Sequence, residues 1–177
     1  MLLCLSGALR RGSSNTMLLR EAARHYGGPS EFGDLRLPLY DTDEEDAHGI
    51  PASVQTLADQ IAGAEAVVVS TPEYNQSLSG VLKNALDWVS RTKNSPWRDK
   101  PVALMSAAAG RAGGARANFA LRLAITPFRP RLLTGPDILL ANSTAQFDDN
   151  GHLTDERAEE ALIDMMARLR AEAQRAS

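Results

Sequence analysis

The chain has 177 residues, 19 of them basic and 22 acidic, for a formal net charge of -3. That length supports one core without disulfides or a metal, and the near-neutral charge argues against the basic footprint of a nucleic-acid binder and against a very acidic electron carrier. With no apolar run of about 20 residues and only Met1 to Leu5 apolar at the start, neither a membrane span nor a signal peptide is expected. Cys4 stands alone, cannot form an internal disulfide, and fits a reducing cytoplasm. The expectation is a single soluble domain over residues 1–177 that works on small molecules, with no nucleic-acid or membrane partner.

In chain order, short apolar runs alternate with longer amphipathic stretches, which predicts a parallel sheet covered by helices on both faces. Strands are expected at Leu2 to Ser6, Phe32 to Leu35, Ala66 to Ser70 and Val102 to Ser106, with a last one within Arg131 to Leu140. Helices are expected at Ser14 to Tyr26, Ala52 to Ala62, Gly80 to Arg91, Gly114 to Ile125 and Asp155 to Gln174. Val54, Leu57, Ala58 and Ile61 fall on one helical face, and Ala158, Ala161, Leu162, Met165, Met166 and Leu169 do the same in the last helix, where the methionines read as core filling. Gly33 and Pro38 make the second strand a short edge strand. The acidic run Asp41 to Asp46 reads as a solvated loop.

Two loops at the carboxyl ends of strands carry the chemistry, because open α/β sheets bind ligands there. Ser6 to Asn15 holds two glycines, two arginines, hydroxyl and amide side chains and no carboxylate, and it feeds a helix whose unpaired amides suit a phosphate. Ser13, Ser14 and Asn15 are equally good helix caps, and Arg10 an ordinary surface cation. No G-x-G-x-x-G follows the first strand and no G-x-x-x-x-G-K-[ST] occurs, so a phosphate monoester fits better than a dinucleotide or a P-loop triphosphate. The second loop, Thr71 to Gly80, places Pro72, Tyr74 and Asn75 in a turn suited to a flat aromatic ligand. A third, Ser106 to Arg116, carries three glycines that serve either close backbone approach or a plain flexible turn. The three histidines, His25, His48 and His152, lack metal-site spacing, so no metal is expected, and His152 reads as a surface residue.

The loop L-S-G-A-L-R-R-G-S-S-N (Leu5 to Asn15) and the run T-P-E-Y-N-Q-S-L-S-G-V-L-K-N-A-L-D-W (Thr71 to Trp88) together resemble the NADPH-dependent FMN reductase family of flavodoxin-like flavoproteins. The family's S-G-S-L-R-x-x-S-x-N loop is matched except that Ala8 replaces its second serine, a change expected to leave the Ala8 amide available. In the family's T-P-E-Y-N-x-S-x-P-G-x-L-K-N-A-x-D-W run, Ser79 replaces a proline, and in the third loop Ala108 replaces a serine. Trp88 reads as core packing behind the turn, and Lys83 with Asp87 as a helix-surface pair. Phe147 to Glu156 also resembles the family's lead into its last helix.

The resemblance implies a flavodoxin-like fold, a five-stranded parallel sheet in the order 2-1-3-4-5 with helices on both faces. It implies an FMN phosphate held by Ser6, Arg10, Ser13, Ser14 and Asn15, and a ring held by Pro72, Glu73, Tyr74 and Asn75, with Ser106 and Gly110 from the third loop. Donors to the ring are expected from the Glu73, Tyr74 and Asn75 amides, since Pro72 has none. No catalytic side chain is implied, because FMN carries the chemistry: NADPH or NADH reduces it, and a quinone, free flavin, azo compound or metal oxyanion takes the electrons in ping-pong fashion. A homodimer or homotetramer is implied, with Gly80 to Arg91 the candidate interface. The alternative is a flavodoxin-like electron carrier or redox sensor without NAD(P)H activity.

Overall fold

In the computed structural model, which describes residues 1–175, β1 (Leu2–Ser6) leads into α1 (Ser14–Tyr26) and then β2 (Ser30–Gly33). The chain continues through α2 (Thr42–His48), α3 (Ala52–Gly63), β3 (Ala66–Thr71), α4 (Gly80–Ser90), β4 (Pro101–Ala107) and α5 (Ala115–Ile125). Two short strands, β5 (Arg131–Leu132) and β6 (Ile138–Leu140), precede the long closing helix α6 (Glu156–Arg175). The sheet runs β2-β1-β3-β4-β5 and is parallel throughout, as a flavodoxin-like fold requires.

The strands β1, β3 and β4 alternate between two apolar layers. Leu2, Cys4, Val68, Ala103 and Met105 face α1 and α6, joined there by Leu18, Leu162, Met166 and Leu169. Leu3, Leu5, Val67, Val69 and Leu104 face the other side with Leu57, Ile61, Leu86 and Leu121. A sheet buried on both faces reads as unbroken apolar runs, which is why these three strands were legible. The methionines of α6 are core filling, as expected.

Three elements differ from the sequence expectation. The second strand begins earlier, with Ser30 to Gly33 pairing Leu2 to Leu5, because the partner register and not apolar content decides an edge strand whose Phe32 is 41% exposed. Leu35, expected in the strand, lies beyond it and is buried in the second layer. The acidic run is solvated but helical: Asp41 caps α2 by accepting from the Asp43 N–H at 2.9 Å, and Asp43, Glu44 and Glu45 sit in the first turn where the dipole favours them. The last strand is in two pieces, both beside β4, and Pro136, which lacks an N–H, lies in the break.

Candidate functional site

At the carboxyl ends of β1, β3 and β4, a cavity of about 330 Å³ is lined by Arg10, Ser13, Ser14 and Asn15 from the first loop, Pro72, Glu73 and Tyr74 from the second, and Ala107 to Ala109 from the third. Ala8, Ser143 and Thr144 complete it. Of the residues the sequence singles out, seven meet in this cavity. Ser6, Asn75, Ser106 and Gly110 lie in the same three loops but not on its wall.

The first loop is built by its own polar side chains. Ser13 caps α1, its hydroxyl accepting from the Asn15 and Thr16 N–H groups at 3.2 and 3.4 Å. Asn15 is 3% exposed and braces all three loops: its amide donates to the Ala107 carbonyl at 2.9 Å and accepts from the Ala107 N–H and the Ser70 hydroxyl at 3.0 and 2.8 Å. Ser6 pairs with the Thr16 hydroxyl at 2.9 Å and accepts from the Ala8 N–H at 3.3 Å. The Ala8 amide is therefore engaged inside the loop, contrary to the expectation that it stays available. Gly7 lets the loop pass α4, since a Cβ there would lie 2.6 Å from Leu82 Cδ1.

What these braces leave open is a run of donors. Among the described residues, the N–H groups from Leu9 to Ser14 bond to no protein acceptor, and Arg10 has no ion-pair partner. No acidic residue sits in the first turn of α1. Arg10, Ser13 and Ser14 of this run line the cavity, and unpaired amides beside a free guanidinium at a helix start suit an anion.

The second loop closes on itself. Tyr74 and Ser77 exchange N–H to carbonyl bonds at 3.2 and 3.1 Å, with Asn75 and Gln76 between them at φ values of 50° and 66°. This is a two-residue hairpin turn of the kind that requires positive φ at both centres. The Tyr74 amide is thus committed to Ser77, and of the three amides expected to face a ring, Glu73 and Asn75 remain. Ser79 is fully buried and caps α4 by accepting from the Leu82 N–H at 3.3 Å, so it does more than loosen the loop where the family favours proline. Glu73 turns its carboxylate away from the anion site and accepts from the Arg116 and Ala117 N–H groups at 3.1 and 3.3 Å, capping α5, whose own Gly114 has no side chain to do so.

In the third loop, Ser106 donates to the Gly113 carbonyl at 2.7 Å and is fully buried. Gly113 has φ of 59° and leaves no room for a Cβ against the Leu139 carbonyl, so it is required by packing on β6. Sequence reading missed Ser143 and Thr144. They follow Asn142, which takes a left-handed φ of 48°, and an N-S-T triplet after a short strand was the available signal.

Behind the site, Trp88 is 1% exposed as expected, and its indole also donates to the Pro38 carbonyl at 2.8 Å. Lys83 and Asp87 form the expected surface pair. The Cys4 thiol is pushed up to about 12 by burial, so it is not a nucleophile at neutral pH. Away from the cavity, Glu21, His25 and Glu159 bring one ligand atom each within 4.8 Å of one another, and the Arg24 guanidinium supplies positive charge there, 2.8 Å from both Glu21 and Glu159.

The donor set fits FMN: a cationic, amide-lined end for a phosphate monoester, with a hairpin and the small side chains of Ala107 to Ala109 on the same wall. A family model described as NADPH-dependent FMN reductase matches residues 1–145. An NAD(P)H-dependent FMN reductase of Pseudomonas aeruginosa is 40% identical over 161 residues, covering 89% of this chain and 86% of that protein. A quinone reductase of Escherichia coli K12 is 39% identical over 139 residues, covering 76% and 74%. Among solved structures, FerB of Paracoccus denitrificans, a flavoenzyme NAD(P)H:(acceptor) oxidoreductase, aligns with a TM-score of 0.88 at 27% identity, over 98% of this chain and 97% of its own. A match of this extent, on a chain whose ligand loops meet in one anion-accepting crevice, means that the protein is an oxidoreductase belonging to the NADPH-dependent FMN reductase family.

Proposed function

We propose that the cavity holds FMN, with its phosphate on the unpaired amides of residues 9–14 and on Arg10, and that the protein uses NADPH or NADH to reduce a small acceptor. The observation that carries this is the set of free donors at the start of α1. Glu73 caps the start of α5 and Ser79 that of α4, which leaves α1 as the helix start for an anion. Bound there, FMN would supply the redox chemistry, taking two electrons from the nicotinamide and passing them on. The protein's part is to hold the phosphate, to aim the Glu73 and Asn75 amides at the polar side of the ring, and to keep Tyr74, 54% exposed, at the mouth.

The three loops open toward one crevice, so donor and acceptor share one entrance, which supports a ping-pong order. A quinone, free flavin, azo compound or metal oxyanion is the proposed acceptor class, in a cytoplasmic enzyme acting as one domain. No helix among the described residues is long and apolar enough to cross a membrane. We further propose a homodimer or homotetramer. The apolar side of α4, the candidate interface, packs inward through Leu82, Leu86 and Val89, leaving Lys83 and Asp87 outside, while Phe119 and Leu123, 61% and 77% exposed and one turn apart on α5, offer apolar surface for a second copy.

Titration of the apoprotein with FMN and riboflavin tests the site. FMN should bind much more tightly, and Arg10→Ala should remove a charge-assisted contact of about 1.5 to 3 kcal/mol for FMN alone. Equal affinity for the two flavins would remove the phosphate assignment. NADPH or NADH varied at several fixed quinone concentrations should give parallel double-reciprocal lines, and intersecting lines would contradict the shared entrance.

A further inference from the structure

The polar side chains that the family loop supplies are largely occupied by the protein itself. Ser6 pairs with Thr16, Ser14 donates to the Ser143 carbonyl, Ser106 holds Gly113 and Asn15 braces the strands, while Ser13 only accepts from the start of α1 and keeps its own O–H to donate. The positions of two further family serines hold Ala8 and Ala108, and both line the cavity. By this count Ser13 is the one hydroxyl of the loop motif, among the described residues, still free to donate at the cofactor end.

Two hydroxyls on the same wall come from elsewhere. Ser143 and Thr144 lie in a short turn after β6 that is fastened on two sides: the Ser14 hydroxyl donates to the Ser143 carbonyl at 3.3 Å, and the Ser143 N–H donates to the Ala108 carbonyl at 3.1 Å. The turn therefore sits between the first residue of α1, where the free amides end, and one of the substituted alanines. Among the described residues, neither the Ser143 nor the Thr144 hydroxyl bonds to protein. Ser143 is only 4% exposed, yet its oxygen is not among the sealed orphan polar atoms, which are Trp97 Nε1 and Asn118 Nδ2. The access it retains is to the cavity it lines.

We propose that Ser143 and Thr144 are cofactor-binding residues that donate to the phosphate end of FMN, in place of the hydroxyls that Ala8 and Ala108 lack. The inference rests on the assignment of the cavity to FMN. It adds a fourth loop to the three that the motifs mark, and it predicts that flavin affinity in this chain depends on a segment outside them.

The test is equilibrium titration of the apoprotein, followed by flavin fluorescence, with Ser143→Ala, Thr144→Val and Arg10→Ala compared with the parent. Each hydroxyl lost should weaken FMN by about three- to tenfold and leave riboflavin affinity unchanged, since a neutral hydrogen bond to the phosphate end is removed. Ala8→Ser placed in the Ser143→Ala background should recover most of the loss. Thr144, which is exposed, keeps the test open if Ser143→Ala unfolds, as thermal unfolding of the apoprotein will show. If Arg10→Ala weakens FMN while neither hydroxyl variant does, this proposal falls and the site assignment stands. If Arg10→Ala has no effect either, the assignment of the cavity itself fails. Equal weakening of FMN and riboflavin would also overturn the proposal, because the hydroxyls would then not serve the phosphate.

Discussion

Glu73 shows why a motif residue need not do what its position suggests. It stands in the turn proposed to face the ring, but its carboxylate spans to the start of α5, where it accepts two backbone N–H groups and lies 3.7 Å from the Arg116 guanidinium. Removing such a cap leaves those donors unpaired in a partly buried place. Glu73→Ala should lower apoprotein stability by about 1 to 2 kcal/mol in a denaturant titration, and Glu73→Gln, which keeps one acceptor, should lose less. A Glu73→Ala protein as stable as its parent would show that the cap has no weight. The same lesson holds for Asn15. Its place in the loop was legible, but its partner Ala107 lies 92 residues away and is brought to it only by the β1-β3-β4 order. Sequence names the polar residues of such a loop; it does not say which of them the fold consumes.

At the scale of elements, legibility followed burial. Strands β1, β3 and β4, with both faces covered, appeared as apolar runs within a residue of their true ends; the last strand was placed within Arg131 to Leu140 but without its break, and β2 at the edge had no such signal. The helix at Thr42 was hidden because none of its residues is buried, so it has no apolar period to read. It is anchored through polar contacts instead: Glu45 accepts from Arg91 at 2.9 Å and from the Tyr40 hydroxyl at 3.0 Å. Asn84 and Trp88, one turn apart on α4, both donate to the Pro38 carbonyl, which gives the N-A-L-D-W part of the motif a role in holding the strap before α2. The third loop depends on β6 in a similar way. Gly113 meets the Leu139 backbone with a left-handed φ, so Gly113→Ala combines a conformational penalty with a clash against backbone that cannot move aside. A loss of more than about 2 kcal/mol is expected in thermal or denaturant unfolding. Gly110→Ala, with open space at its Cβ position and no positive φ, is the control and should be nearly neutral.

Across the whole molecule, the layer formed by α1 and α6 is closed by a charge network of which only Glu21 and Arg24, three apart on α1, stand close enough in sequence to read as a pair. Glu21, 3% exposed, accepts from Arg24 Nε and Nη2 at 2.9 and 2.8 Å, pairs with the His152 ring at 3.0 Å and accepts from the Leu153 N–H at 3.2 Å, so it ties α1 to the segment before α6. Arg24 continues to Glu159 on α6, which also lies 3.2 Å from His25. His152, expected at the surface, is half-exposed but serves this junction. Burial alone would raise the Glu21 carboxyl, yet the hydrogen bonds from Arg24, His152 and Leu153 outweigh it and hold it at about 2. A folded-state value below the ordinary glutamate value of about 4.3 means that the ionised form is favoured by folding. Its contribution is therefore complete above that value and is lost as pH falls toward 2. Glu21→Gln removes the titration and keeps the shape, and the rest of the charge network is common to both proteins. Thermal unfolding of the two should differ at about pH 5, and the difference should shrink steadily from about pH 4 to the lowest pH at which the fold survives. A gap that stays level through the acid range would show that the Glu21 carboxylate is not what holds α1 and the start of α6 together.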